Sequence, residues 1–195
     1  MCGIVGYVGK KEATPFLLGG LRRLEYRGYD SAGIATLKHN GGNFQLNRAV
    51  GKIDRLAEQL TEFPMYGFTG IGHTRWATHG PATTENAHPH VGGRGLVAVV
   101  HNGVIENYQV LKEGLIAKGY MFQSATDTEV ISHLIADNLK TLLDSPASTD
   151  TESTHANEGP NAVFVEAVRA ALPQLRGTYG LVVMFRDRPE LLSPL

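Results

Sequence analysis

The sequence predicts an α+β fold and argues against a doubly wound parallel sheet. Two observations carry this. Segments of strand and helix periodicity follow one another in mixed order, without a regular strand–helix–strand alternation. The chain has 195 residues, 42% of them hydrophobic, which suits one domain with a substantial core.

The elements follow in order. Gly3 to Gly9 interleaves glycine with Ile4, Val5, Tyr7 and Val8, which reads as a buried strand packed close to another backbone. Phe16, Leu17, Leu21 and Leu24 recur at helical spacing over Ala13 to Leu24. Ser31 to Leu37 reads as a strand, Asn40-Gly41-Gly42-Asn43 as a turn, and Phe44 to Val50 as the returning strand. Ile53 to Leu60 is a short helix. Phe68 to His73 and Leu96 to Val100 read as core strands, and Glu106 to Lys118 as a helix closed by Gly119. Thr128 to Leu143 is the clearest helix, with Val130, Ile131, Leu134, Ile135 and Leu139 on one face. Residues 144–161 are polar and Ser/Thr/Pro/Gly-rich, the composition of a solvated loop inserted into the domain. Ala162 to Leu172 is again helical, and Thr178 to Phe185 is a strand.

Bulk properties exclude several classes. A net charge of −1 gives no electrostatic case for nucleic acid or an anionic membrane. No run approaches the ~18 apolar residues of a membrane span, and the first residues lack the pattern of a signal peptide. A single cysteine, Cys2, rules out an internal disulfide framework. A cytoplasmic location is expected.

Cys2 lies directly behind Met1. Removal of Met1 would leave a thiol and a free α-amine on one residue, a nucleophile with its own base. Four polar segments suggest what such a thiol would attack: the loop 24–33, the Trp-containing stretch 72–80, His101-Asn102-Gly103, and Ser124 to Thr128. Arg75 offers a planar fork for a carboxylate. Asp127 can balance an ammonium. The Asn102 amide and the Gly103 backbone N–H can donate to a developing oxyanion. The set describes an amide hydrolase acting on an amino acid. Each member also fits a structural role: Cys2 a small apolar residue, Arg75 a surface ion pair, Asp127 a helix N-cap, Asn102-Gly103 a turn, Arg27 and Asp30 a loop pair. Five histidines (His73, His79, His88, His90, His101) raise a metal site as a rival. Yet they form no helical His-x3-His pair, and no carboxylate stands at ligand spacing. Histidines holding loops by hydrogen bonds fit better, and neither a metal nor a cofactor is expected.

Cys2-Gly3-Ile4-Val5-Gly6 resembles the start of the class II, N-terminal-nucleophile glutamine amidotransferases. Glu25 to Gly33, His73 to Gly80, Asn86 to His90, His101 to Gly103, Thr126 to Glu129 and Pro173 to Gly177 are similar to the glucosamine-6-phosphate synthase branch of that family. The resemblance implies a four-layer αββα sandwich of two antiparallel sheets. It implies L-glutamine as substrate, Cys2 as nucleophile, and Asn102 and Gly103 as the oxyanion hole. Arg75 would bind the α-carboxylate and Asp127 the α-ammonium. Trp76, Thr78 and His79 would lie in a loop closing over the substrate, with Arg27, His88 and His101 in support. Full-length members pass ammonia to fructose-6-phosphate and are expected to be homo-oligomers.

Two departures stand out. The two sugar isomerase domains of the family have no counterpart in residues 2–195. The ending Pro189-Glu190-Leu191-Leu192-Ser193-Pro194-Leu195 fuses two stretches that a short turn separates in relatives. The expectation is a glutaminase domain shortened at its C-terminus, with strands missing and a sheet edge exposed. The alternative is an inactive fragment of the same enzyme.

Overall fold

The structure is a computed structural model, and it describes residues 2–27, 30–38, 40–77, 80–144 and 161–194. Among the described residues, eight strands form two antiparallel sheets. The first contains β1 (Gly3–Val8), β2 (Ser31–Leu37), β3 (Gln45–Val50) and β4 (Thr69–Arg75), in the order β1-β4-β2-β3. The second contains β5 (His90–Gly92), β6 (Val97–Ile105), β7 (Gly177–Phe185) and β8 (Arg188–Pro194), in sequential order. The helices are α1 (Ala13–Leu24), α2 (Ile53–Glu62), α3 (Tyr108–Ala117), α4 (Thr128–Asp144) and α5 (Ala162–Ala171).

Alternation along the strands separates three cores. Ala32 and Ile34 of β2 face α1 and α2, where they meet Leu17, Leu21 and Leu56. The intervening residues Ala35 and Leu37 point the other way, onto Ile71, Ala98, Val100 and Met184 between the sheets. On β6, Val97, Val99 and Ile105 face α4 and α5, against Val130, Ile131, Leu134, Phe164 and Val168. Each fully buried Leu or Ile of these layers stabilises the fold by roughly 1.5–3 kcal/mol. The result is the four-layer αββα sandwich of two antiparallel sheets.

Several expectations change in detail. β1 is an edge strand, with half of its residues half-buried and Gly6 and Val8 exposed. Gly3 is crowded by side chains rather than by another backbone: a Cβ there would lie 2.6 Å from Cβ of Leu24. The strand expected over Leu96–Val100 continues to Ile105, so Asn102 and Gly103 sit inside a ladder and not in a turn. β5 and β8 add strands that periodicity did not predict. β8 is the outer strand of its sheet, with Leu192 packed on the inter-sheet core and the Pro189 carbonyl accepting from Thr69 Oγ1 of β4. The insertion expected at 144–161 falls almost wholly outside the described residues.

Candidate active site

Three strands direct their side chains to one end of the inter-sheet layer. On β4, Ile71 belongs to the inter-sheet core, so His73 and Arg75 share its face. On β6, Ala98 and Val100 lie in that core, so Asn102 continues the same row. Ile4 of β1 packs there too, which puts Cys2, two residues earlier, on the same side. The period of two thus converges Cys2, His73, Arg75 and Asn102 from both sheets.

The contacts bear this out. The Asn102 side-chain amide donates from Nδ2 to the carbonyl oxygen of Cys2 at 3.1 Å. The Trp76 backbone N–H points at Cys2 Sγ, 3.2 Å away, and the thiol faces the Trp76 carbonyl at 3.7 Å. Gly3, next to Cys2, donates its N–H to Thr74 Oγ1 at 3.1 Å. Cys2 itself is half-buried, whereas the Trp76 side chain is exposed. Gly103 has φ +136°, and a Cβ there would lie 1.9 Å from the Thr178 carbonyl oxygen of β7. No other residue type fits that close crossing.

Arg75 is buried, only 4% exposed, so it is not the surface ion-pair residue that its type alone would suggest. Its guanidinium lies 3.8 Å from Asp30 Oδ1 and donates to the carbonyls of Gly80 at 3.1 Å and Pro81 at 3.2 Å. Asn86 reinforces this loop, donating from Nδ2 to Pro81 and accepting the Ala125 N–H on Oδ1. Asp30 also accepts the Ala77 N–H and the Ser31 hydroxyl. Asp127 is buried at the start of α4 and accepts the Ile105 N–H on Oδ2 at 2.8 Å, tying the end of β6 to that helix. Beside it, the Glu129 carboxylate accepts the N–H groups of Gln123 and Ser124 and the Ser124 hydroxyl. Burial works against that charge, but the nearby His133 ring, 3.8 Å away, and the hydrogen bonds from Gln123 and Ser124 outweigh it and hold the carboxyl down at about 2.

His73, His88, His90 and His101 are all buried. His73 and His88 pack ring on ring at 4.1 Å, and His88 meets His90 edge-on at 4.9 Å. His90 Nε2 pairs with Thr126 Oγ1 at 3.1 Å, His101 Nδ1 with Thr128 Oγ1 at 2.9 Å, and His88 Nδ1 accepts the His101 N–H at 3.5 Å. Burial pushes His73 down to about 4 and His90 to about 3, and pushes His88 well below the usual imidazole range. Among the described residues, no group of three or more His, Cys, Asp or Glu side chains is arranged to hold a metal ion. Of the residues expected at the site, Thr78 and His79 lie outside the described residues, as does the Arg27 side chain. The part missing from the sequence reading is His73 as a partner of Asn102; its position two residues before Arg75 on a strand was the signal for it.

Residues 53–145 match the family described as "Glutamine amidotransferase domain". The chain is 47% identical to the glutamine–fructose-6-phosphate aminotransferase (isomerizing) of Pyrococcus horikoshii, over 98% of this chain and 29% of that protein. It is also 47% identical to the enzyme of that name from Escherichia coli, over 98% of this chain and 28% of that protein. The chain thus spans less than a third of these curated relatives. Among solved structures, the glutamine phosphoribosylpyrophosphate amidotransferase of B. subtilis complexed with ADP and GMP aligns with a TM-score of 0.69 and 27% identity, over 95% of this chain and 35% of that one. A structure described as the allosteric regulatory enzyme of purine biosynthesis aligns with a TM-score of 0.72 and 27% identity, over 95% and 36%. Family match, relatives and fold agree: the chain carries a glutamine amidotransferase domain match over residues 53–145 and is homologous to the N-terminal domain of the glutamine–fructose-6-phosphate aminotransferases.

Proposed function

We propose that the chain hydrolyses the side-chain amide of glutamine, with Cys2 as nucleophile once Met1 is removed. The observation that carries this is the hydrogen bond from the Asn102 amide to the Cys2 carbonyl, which brings an oxyanion donor to the thiol-bearing residue across a separation of 100 positions. The freed α-amine takes the thiol proton, and Sγ attacks the amide carbon. The carbonyl oxygen becomes an oxyanion that accepts from Asn102 Nδ2–H and the Gly103 N–H. The ammonium then returns its proton to the departing nitrogen, ammonia leaves, and a thioester remains. Water, deprotonated by the same amine, cleaves that thioester to glutamate and restores the thiol. Each preorganised donor to the oxyanion contributes about 2.7–4 kcal/mol to such a step.

Arg75 would meet the α-carboxylate. Asp127, holding Ile105 through Oδ2, would meet the α-ammonium through Oδ1. Trp76, Thr78 and His79 would border the amino acid. In the longer proteins the ammonia would go to fructose-6-phosphate, so this chain supplies the glutaminase step, in the cytoplasm.

The test is intact-mass analysis after treatment with a glutamine-analogue electrophile. The expected result is loss of Met1 and a single adduct on Cys2, with no adduct and no glutamate production in Cys2→Ala. A Cys2→Ala variant that still hydrolyses glutamine overturns the assignment.

A further inference from the structure

We infer that His73 is a positioning residue for the oxyanion donor: it locks the Asn102 amide in the one orientation that presents Nδ2 to the reacting centre. The inference rests on the amide hydrolysis proposed above. His73 belongs to β4 of the first sheet and Asn102 to β6 of the second, so the contact crosses the inter-sheet layer. His73 Nε2 lies 2.8 Å from Asn102 Oδ1 and 3.1 Å from the His101 carbonyl oxygen. A backbone carbonyl can only accept, so Nε2 carries the proton whichever way the amide is turned. That N–H is shared between the two oxygens. At the other end of the amide, Nδ2 donates to the Cys2 carbonyl, which also can only accept.

The amide is therefore held at both ends. Rotating it by half a turn would set an NH2 against the Nε2–H and an oxygen against the Cys2 carbonyl, two repulsive contacts in a part-buried site. Held as it is, Nδ2 spends one hydrogen on Cys2 and keeps its second for a developing oxyanion. The histidine is fixed in turn. It is 1% exposed, and the His88 ring packs on it at 4.1 Å. Its Nδ1 has no hydrogen-bond partner, as expected for the unprotonated nitrogen of a neutral ring. A phenylalanine would fill much of the same volume without donating, and a glutamine would restore an N–H donor.

Three measurements test this. On the unmodified chain, long-range 1H–15N spectra should show the His73 ring as the neutral Nε2–H form from about pH 6 to 8. An Nδ1–H form overturns the inference without any variant. His73→Phe should shift the Asn102 side-chain NH2 resonances, and resonances that stay in place overturn it. In glutaminase assays, His73→Phe should lower kcat by about 10–100-fold with KM for glutamine within about twofold, and His73→Gln should recover most of the loss. In an Asn102→Ala background, His73→Phe should change kcat by less than about twofold, because the group it positions is gone. Equal losses in both backgrounds overturn the positioning role. Failure of the underlying hydrolysis looks different: Cys2 takes no adduct or Cys2→Ala stays active, while the spectra still decide whether His73 locks the amide.

Discussion

Replacing Gly103 by alanine separates two effects that usually arrive together. At φ +136° an L-residue is strained, at a cost of about 1–3 kcal/mol. The added Cβ would also lie 1.9 Å from the Thr178 carbonyl oxygen, where real Cβ contacts essentially never fall under 3.0 Å. β6 and β7 must therefore move apart locally by about 1 Å, enough to forfeit a quarter to a half of the dispersion energy of the contacts affected. Overpacking of this kind costs about 1–3 kcal/mol more. The expected total is about 2–6 kcal/mol, a large share of the roughly 5–15 kcal/mol that holds a domain together. Gly95→Ala is the control. Its φ is +87°, but no atom lies within 4 Å of the new Cβ, so it should cost only about 1–2 kcal/mol. Urea unfolding at constant m-value measures both. A Gly103→Ala midpoint no lower than that of Gly95→Ala would refute the crossing argument. The same displacement shifts the backbone next to Asn102, whose amide contacts Cys2, so residual activity in the folded fraction should also fall.

Other substitutions follow from the same reading. Gly114 lies in α3 with open space around its would-be Cβ, so Gly114→Ala should raise stability by about 0.5–1 kcal/mol; a lower urea midpoint would contradict this. The Arg75 fork spans two loop carbonyls, which a lysine cannot copy, so Arg75→Lys should raise KM for glutamine by about 10–100-fold with little change in kcat; an unchanged KM in steady-state assays would remove Arg75 from the binding site. His73, His88 and His90 all titrate below their unfolded value of about 6.5 because they are buried. The unfolded chain therefore binds protons first as pH falls. Their contribution is complete above about pH 6.5 and is lost as pH drops from there through about 4 for His73 and about 3 for His90, at about 1.4 kcal/mol per pH unit for each ring. Urea midpoints at about pH 7.5, 6 and 5 check this, and a flat profile would refute it.

The sequence made some of this legible and hid the rest for physical reasons. The long helix α4 showed itself because one face must be apolar to pack on a sheet. β8 did not, because an edge strand bounded by Pro189 and Pro194 buries little and needs no clean alternation. β5 did not, because three residues, one of them a histidine, give no period to read. At the site, Cys2, Arg75, Asn102, Gly103 and Asp127 were recognisable one by one as residue types suited to amide chemistry. Their convergence was not, since β4 and β6 belong to different sheets and local spacing carries no record of how sheets stack. Asp127 makes the same point: its side chain grips the Ile105 N–H, a partner 22 positions away that no local rule names.

Trp76 is the only tryptophan in the chain, its backbone N–H lies against Cys2 Sγ, and the residue is 52% exposed. Tryptophan fluorescence of this chain, excited beyond the absorption of its tyrosines, is therefore a local signal from around Cys2 and not an average over the fold. Oxidation or acylation of the thiol, or arrival of an amino acid at Arg75 next door, would change the polarity and quenching felt by that one indole. The native chain thus carries its own optical reporter of thiol state and site occupancy, with no dye or added label.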